Sequence, residues 1–208
     1  MTPEQLAQAT GATVPLAQQW LQPMTEVIEQ WGISTPARQA AFLAQIGVEC
    51  ARLTQLQESF DYSAEALLRM WPARFTVDQA QQLGRTSAHP AEQQRIANIA
   101  YADRYGNRDE ASGDGWAFSG KGCLQITFRR NYQACGEAVG LDLLTHPELL
   151  LTPEHAAASA AWYWQSRGCN DLADAGDFTR ITLRINGGTN GLEQRLALWS
   201  RAKEALHA

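Results

Sequence analysis

Apolar side chains recur every three or four positions along most of the chain, a spacing that predicts a mainly α-helical fold. The periodic segments are Val14–Ile28, Pro36–Leu53, Ala64–Met70, Ala91–Tyr101, Glu154–Gln165, Phe178–Ile185 and Leu192–Leu206. Within Thr2–Trp31, Gly11 separates two short helical patterns. Thr35 and Thr152 each precede a proline, as N-cap residues often do, so we expect helices to begin there.

One segment favours a β-strand and another favours a long loop. Gly122–Phe128 alternates imperfectly between apolar and polar residues, as a short strand does. Asp103–Gly122 contains several glycines that interrupt any periodicity, so we expect a loop there. The loop carries Tyr105, Trp116 and Phe118, and these aromatic residues favour a functional loop over a disordered one.

The length and composition are those of an ordinary globular protein. A chain of 208 residues with 45% hydrophobic and 19% charged residues suits a single domain with a sizeable core. No linker divides it, so we expect one domain over residues 1–208. Within that domain, residues from about 64 to 114 are expected to form a smaller inserted lobe, with a cleft between this lobe and the rest.

The charge and the N-terminal sequence restrict the partners and the location. A net charge of −5 argues against a general attraction to nucleic acid or anionic membrane. The acidic first third also argues against interpreting Thr2–Trp31 as a DNA-binding helix-turn-helix. No apolar run approaches the roughly 20 residues of a membrane span, and the first residues do not resemble a secretory signal. We therefore expect synthesis as a soluble cytoplasmic protein.

The four cysteines are widely spaced and form no CxxC pair, which gives a zinc site little support. Free thiols are the expected state. A disulfide formed after export is the alternative.

Two glutamates are candidates for general acid and base catalysis. Glu49 stands at the end of a helical pattern that is otherwise nearly uncharged, and burial among apolar neighbours would raise its pKa as a general acid requires. A solvated glutamate at a helix end is the alternative. Glu58 follows nine positions later. On one straight helix the two would lie roughly 13.5 Å apart along the axis and half a turn out of phase.

That separation is too large for paired carboxylates, which need about 6.5–9.5 Å for inversion through a water molecule or about 5–5.5 Å for retention. We therefore expect the helix to stop near Arg52–Gln57 and the chain to turn Glu58 back towards the cleft. No glycine or proline marks that stop.

Two glycine-rich segments offer hydrogen-bonding groups of the kind that sugars need. Gly120–Gly122 precedes three neutral polar residues, Gln125, Thr127 and Asn131, and lacks the spacing of a phosphate-binding loop. Further on, Asn186 stands at a glycine-rich bend, and Arg195 lies in the next helix, where it could orient a carboxylate or balance its charge. Each feature has an alternative explanation. The polar residues after Gly122 could lie on the surface, the glycines after Asn186 could cap a helix, and Arg195 could be solvated.

Taken together, these residues resemble glycoside hydrolase family 19, a chitinase-like family that also includes phage endolysins. The resemblance extends from about Pro36 to Leu206. It rests on four blocks in order: the helix ending in Glu49, Glu58–Ser63, Gly120–Thr127 with Asn131-Tyr132, and Ile185–Gly188. It implies a lysozyme-like α+β fold, mainly helical, in which a smaller helical lobe is inserted into a larger one. It also implies an inverting mechanism without cofactor or metal.

The resemblance assigns roles by position. Glu49 would protonate the glycosidic oxygen, Glu58 would deprotonate the attacking water and Thr127 would help to hold that water. The expected substrate-binding residues are Tyr62, Gln125, Asn131, Asn186 and Arg195. The chain departs from the family pattern at four places. Val48 stands where histidine is frequent, and Cys50–Arg52 where small residues and glycines are common. Lys121 and Cys123 replace a usual arginine and a usual proline.

Within the family, the chain is similar to phage or prophage endolysins. This similarity implies a monomer that cuts the β-1,4 bond between N-acetylmuramic acid and N-acetylglucosamine in peptidoglycan strands. Such enzymes accumulate in the bacterial cytoplasm and reach the wall from the periplasm when a holin opens the inner membrane. A chitinase, a bacterial antagonism effector and a glycan-binding protein that has lost catalysis are the alternatives.

Overall fold

The computed structural model describes residues Met1–Ala208, and its secondary structure is almost entirely helical. The α-helices are α1 (Pro3–Thr10), α2 (Val14–Gln30), α3 (Pro36–Glu49), α4 (Ala64–Met70), α5 (Val77–Leu83), α6 (Gln93–Tyr101), α7 (Asp114–Ala117), α8 (Arg129–Val139), α9 (Pro153–Ser166), α10 (Cys169–Asp174), α11 (Phe178–Asn186) and α12 (Leu192–Leu206). Two 3-10 helices span Glu110–Ser112 and Pro147–Leu151. Isolated bridges are the only β-structure, so the predicted mainly α-helical class is confirmed.

Most of the periodic segments correspond to helices with nearly the predicted bounds. Helices α4 and α12 have the predicted limits, and α2, α6, α9 and α11 differ from them by one or two residues. The two predicted N-caps are also confirmed. Thr35 accepts a hydrogen bond from the N–H of Arg38 at 3.2 Å, and Thr152 accepts one from the N–H of His155 at 3.5 Å.

The chain forms two compact units. The first consists of Met1–Leu56, Gly122–Gln125 and Leu149–Ala208, and the second of Gln57–Lys121 and Ile126–Glu148. Residues 64–114, the predicted smaller lobe, lie inside the second unit. That unit is larger than the predicted lobe. It also contains residues 57–63 and 115–121, and the segment Ile126–Glu148 with α8.

Helix α3 is central to the first unit, where it packs against α1, α10 and α12. Gly47 makes the contact with α1 and α12 close. A β-carbon at this position would lie 2.7 Å from Leu198 Cδ2, and closer still to the carbonyl oxygen of Thr10. Phe42 on the same helix meets Trp164 of α9 edge to face, with ring centroids 5.3 Å apart. These contacts fix α3 and the residues that it carries.

The second unit has a smaller core in which aromatic rings surround Phe60. Its ring is 1% exposed and lies 5.4 Å from the ring of Tyr101 and 6.3 Å from that of Trp116, measured between centroids. Leu67 of α4 and Ile96 of α6 are fully buried in the same cluster. The segment that follows Gln57 is thereby anchored by its own aromatic residues.

The predicted strand at Gly122–Phe128 is wrong, because the chain forms a tight turn there. Lys121 and Ile126 exchange backbone hydrogen bonds of 3.1 and 2.8 Å around four turn residues. Gly122 and Gln125 have φ values of 81° and 52°, in the left-handed region that a strand does not contain. The imperfect alternation in the sequence reflects this turn.

The predicted loop at Asp103–Gly122 contains more regular structure than expected, namely the Glu110–Ser112 3-10 helix and α7. A buried acidic residue orders it. Asp114, with a side chain 3% exposed, forms an ion pair of 2.9 Å with Arg108 and a longer one of 3.7 Å with Arg129. A buried carboxylate with such partners fixes the surrounding backbone.

Candidate active site

Helix α3 ends at Glu49, four residues before the end of its apolar pattern. After Cys50, the residues Ala51–Leu53 all have positive φ, with values of 48°, 63° and 69°. The N–H of Arg52 donates to the carbonyl oxygen of Gly47 at 2.7 Å, which closes the turn. The expected stop between the two glutamates is therefore confirmed, but it precedes Arg52–Gln57 and is made without glycine or proline.

Glu49 is held by an ion pair with a buried arginine. Its Oε1 lies 2.5 Å from Nη2 of Arg195, and the two side chains are 18% and 4% exposed. The same guanidinium donates to Oε1 of Gln45 at 2.5 Å and to the carbonyl oxygen of Asn190 at 3.3 Å. Gln45, one turn before Glu49 on α3, donates in turn to Thr182 Oγ1 at 2.8 Å.

Arg195 is thus bound by protein groups on three sides. Its role in substrate binding stays a prediction, and the contacts in the structure are with Glu49, Gln45 and Asn190. The other possibility raised from the sequence, that Arg195 orients a carboxylate or balances its charge, is what the structure shows.

Glu58 is attached to Gly120 through both its backbone and its side chain. Its N–H donates to the carbonyl oxygen of Gly120 at 2.9 Å, and the N–H of Gly120 donates to Oε1 of Glu58 at 2.5 Å. The second carboxylate oxygen accepts a hydrogen bond of 3.0 Å from the hydroxyl of Tyr101. An antiparallel bridge between Gln57 and Lys121 aligns the two segments. The carboxylate therefore has one defined orientation.

Burial raises the pKa of Glu58 above its ordinary value, although the hydrogen bonds from Gly120 and Tyr101 and the nearby charge of Lys121 act in the opposite direction. The raised pKa makes Glu58 a stronger base than a solvated glutamate. Burial also raises the pKa of Tyr101, and the negative charge of Glu58 raises it further, so the phenol stays a hydrogen-bond donor.

The eight predicted site residues divide evenly between the two units. The first unit holds Glu49, Gln125, Asn186 and Arg195, and the second holds Glu58, Tyr62, Thr127 and Asn131. Within the first, only Glu49 and Arg195 are brought into contact by an ion pair. Within the second, Asn131 Nδ2 donates to the carbonyl oxygen of Thr127 at 2.8 Å. These pairs set the local geometry, and the catalytic and sugar-binding roles stay predictions.

Two other predicted sugar-binding side chains, Gln125 and Asn186, donate hydrogen bonds within their own turns. Gln125 Nε2 donates to the carbonyl oxygen of Gly122 at 2.9 Å, and Asn186 Nδ2 donates to that of Gly188 at 3.4 Å. Tyr62 lies near Glu58: burial raises the pKa of Tyr62 and the charge of Glu58 adds to the effect.

Three residues that shape the two sites are absent from the sequence-based prediction, namely Gln45, Tyr101 and Thr182. Gln45 has a detectable signal, because it is a polar residue in an apolar helix one turn from Glu49. Tyr101 and Thr182 lie 43 positions from Glu58 and 137 positions from Gln45 respectively, and no local pattern marks them.

The structure contains no group of three or more His, Cys, Asp or Glu side chains placed to hold a metal ion. All four cysteines are buried free thiols. None of the helices has the length and apolar character of a membrane-spanning helix.

The chain is similar to known proteins over nearly its whole length. The family model described as chitinase class I matches residues 87–174. A glycosyl hydrolase family 19 domain-containing protein of Haemophilus influenzae is 33% identical over 183 residues, which cover 86% of this chain and 84% of that protein. This chain belongs to glycosyl hydrolase family 19.

Two further similarities are weaker, one because the matched segment is short and the other because the sequence identity is low. Endochitinase 1 of Theobroma cacao is 43% identical over 53 residues, which are 25% of this chain and 16% of the plant protein. The crystal structure of chitinase C from Streptomyces griseus superimposes with a TM-score of 0.64 at 18% identity, covering 100% of this chain and 76% of that one. At this identity the likeness shows the fold, which is the mainly helical, lysozyme-like fold of a family 19 glycoside hydrolase.

Proposed function

We propose that this family 19 glycoside hydrolase is an endolysin that cleaves the β-1,4 bond between N-acetylmuramic acid and N-acetylglucosamine in peptidoglycan. The observation that carries the chemistry is the fixed setting of both glutamates. Glu49 is paired with the buried Arg195, and Glu58 is held by Gly120 and Tyr101 in a position where burial raises its pKa. The surrounding residues hold both carboxyl groups at fixed positions, as a general acid and a general base require.

In the proposed reaction, protonated Glu49 donates its proton to the glycosidic oxygen as the bond from that oxygen to the anomeric carbon breaks. A water molecule, held with the help of Thr127, attacks the anomeric carbon from the opposite face and gives its proton to Glu58. The configuration is inverted. Glu49 is left ionised, and the guanidinium of Arg195 balances the new charge at 2.5 Å. Proton exchange with solvent restores both groups.

Peptidoglycan is proposed because the chain resembles endolysins, and the long match is to a bacterial relative. It matches this chain over 183 residues, whereas Endochitinase 1 of Theobroma cacao matches over 53. In the same proposal the enzyme is made in the bacterial cytoplasm and acts as a monomer on glycan strands from the periplasm, after a holin opens the inner membrane.

A chitinase is the second candidate, and it is favoured by the names of relatives. Both the plant endochitinase and the structurally similar Streptomyces enzyme are chitinases. In this alternative the two glutamates keep their roles, and the substrate is a polymer of N-acetylglucosamine alone.

Digestion of purified peptidoglycan and colloidal chitin, followed by mass spectrometry of the fragments, tests the substrate. We expect soluble muropeptides that end in a reducing N-acetylmuramic acid, with no anhydro sugar. Release of N-acetylglucosamine oligomers from chitin, with peptidoglycan left intact, would replace the proposal by the second candidate. Anhydro products would contradict hydrolysis.

Substitution of the two glutamates tests the mechanism. We expect Glu49→Gln and Glu58→Gln each to lower the rate by about 10²–10⁴-fold, the range of general acid–base catalysis, and Thr127→Ala to lower it less. Glu137→Gln, at an exposed position of α8, is the matched control. A Glu49→Gln enzyme that is folded by circular dichroism and still lyses permeabilised cells would refute the assignment.

A further inference from the structure

Lys121 is a buried lysine next to the residue that binds Glu58. It is 4% exposed. Its ammonium group donates to three oxygens of one short segment: the carbonyls of Trp116 and Ala117 at 3.2 and 2.8 Å, and the hydroxyl of Ser119 at 3.1 Å. A lysine has three N–H donors, so every one of them is used.

These acceptors lie at the C-terminal end of α7, where a helix leaves carbonyl groups without partners inside the helix. The ammonium binds two of these carbonyls and so holds the end of the helix. Tyr132 supports the same segment, because its hydroxyl donates to the carbonyl oxygen of Ser119 at 2.7 Å and its ring lies 5.7 Å from the ammonium. The backbone from Trp116 to Ser119 is thus fixed from two sides.

Gly120 follows this segment directly and holds Glu58 through both its N–H and its carbonyl oxygen. The direction of that N–H depends on the peptide plane between Ser119 and Gly120. We propose that Lys121 is a positioning residue for Glu58: its ammonium fixes the Trp116–Ser119 backbone and thereby aims the Gly120 N–H at the Glu58 carboxylate. The inference rests on the proposed role of Glu58 as the catalytic base.

The ammonium is also a group that titrates close to neutrality. Burial lowers the pKa of Lys121 from 10.5 to about 8, while the charges of Glu58 and Glu148 act in the opposite direction. Glu58, Glu148 and the ring of Tyr132 are the groups that face it. A neutral amine has only two N–H donors and cannot bind all three acceptors, so the positioning weakens as the pH rises through about 8.

The effect of Lys121 on stability has the opposite sign. Because its pKa is about 8 in the folded protein and 10.5 in the unfolded chain, the unfolded chain binds the proton more tightly. Protonation therefore favours unfolding, and the contribution of Lys121 to stability increases as the pH rises from 8 to 10.5. A merely structural lysine would give activity and stability that change together.

The chain has only two lysines, Lys121 and Lys203, which makes a direct experiment practical. Lysine labelled with ¹³C at Cε gives two NMR signals, and labelled glycine reports the Gly120 amide. We expect one lysine to titrate at about pH 8, and the Gly120 amide shift to follow the same curve. Lys121→Arg should abolish that titration of the amide, because arginine stays charged, whereas Lys203→Arg should leave it unchanged.

Kinetics give the second readout. We expect kcat of the wild type to fall as the pH rises through about 8, with KM little changed, and Lys121→Arg to lose this decrease. Lys121→Met should lower kcat at about pH 7 at least tenfold. In addition, the free energy of unfolding of the wild type, relative to that of Lys121→Arg, should increase as the pH rises from 8 to 10.5.

A Gly120 amide that does not titrate near pH 8, or that titrates equally in Lys121→Arg, overturns the inference. So does a folded Lys121→Met enzyme with wild-type kcat. The NMR result needs no substrate and therefore separates this inference from the proposed function. Full activity of Glu58→Gln would refute the role of Glu58 as base, and the coupling between Lys121 and Gly120 would still be measured.

Discussion

The carboxylate of Glu58 receives two hydrogen bonds and lies near a lysine, and yet its pKa is raised because burial outweighs these favourable contacts. An ionised Glu58 is therefore costly to the folded protein. Below the unfolded value of 4.5 the group is neutral in both states, and its contribution to stability is fully present. That contribution is lost as the pH rises through the higher pKa of the folded state.

Glu58→Gln should consequently be more stable than the wild type at about pH 7, because glutamine keeps an acceptor for the N–H of Gly120 and carries no charge. The gain should shrink as the pH approaches 4. Urea unfolding at both pH values measures it, with Glu137→Gln as the control for which no gain is expected. A Glu58→Gln protein that is less stable at pH 7, or whose gain is independent of pH, would contradict this account.

At the scale of single residues, the sequence identifies the candidate acid and base better than the residues that hold them. Glu49 and Glu58 are predictable because a carboxylate stands out at the end of an apolar helix and because four blocks occur in the family order. Arg195 is recognisable as a possible partner of a carboxylate, and only the structure shows its burial against Glu49. Tyr101 carries no such mark, since its contact with Glu58 depends on how α6 packs against Phe60.

Among the elements, the end of α3 shows how tertiary contacts override a local pattern. The apolar periodicity continues to Leu53, so the helix predicted from it is too long. The chain instead places Ala51–Leu53 in the left-handed region, at a cost of about 1–2 kcal/mol for each residue. Leu53 is 3% exposed and belongs to the core of the first unit. Burial of this side chain offsets part of the strain, and no sequence signal records such a balance.

Gly47 gives a test of how closely α3 must approach its neighbours. Gly47→Ala should destabilise the protein by about 1–3 kcal/mol, because the new methyl group would overlap the Thr10 carbonyl oxygen and Leu198. On helix propensity alone the same change would stabilise by about 1 kcal/mol. Chemical denaturation measures the sign.

Gly188→Ala is the matched control, since no atom lies within 4 Å of the place that a β-carbon would occupy there and its φ is not positive. It should leave stability nearly unchanged. A Gly47→Ala protein as stable as the control would show that α3 can shift away from α1 at no cost.

The helices that the sequence does not predict are short or polar. Helices α5 and α10 have seven and six residues, too few for a clear period. Helix α8 has eleven residues, but its apolar stripe is narrow, because only Tyr132, Cys135 and Gly136 are buried on a mostly polar helix. Helices α5 and α10 pack against neighbouring helices, and periodicity alone cannot reveal such contacts.

Across the whole molecule, the class of fold is predictable because the long amphipathic helices α2, α3, α9 and α12 dominate the first unit. The limits of the second unit are not, because no change of composition marks its borders at Gln57 and Glu148. Its core depends on Phe60 and on residues of α6 and α7 that are distant in sequence.

The four cysteines allow a test of the folded state as a whole. All are fully buried, so we expect fewer than one thiol per chain to react rapidly with Ellman's reagent in the native protein. In guanidinium without reductant, four should react. A lower number in denaturant would reveal a disulfide, and a rapid native reaction would show that the core opens more readily than the structure indicates.

The contact between Glu49 and Arg195 joins residues 146 positions apart in the chain. During synthesis on the ribosome, Glu49 therefore exists long before the guanidinium that holds it. Helix α12, which carries Arg195, packs against α3. Glu49 therefore acquires its charged partner only after α12 has been synthesised and has packed against α3.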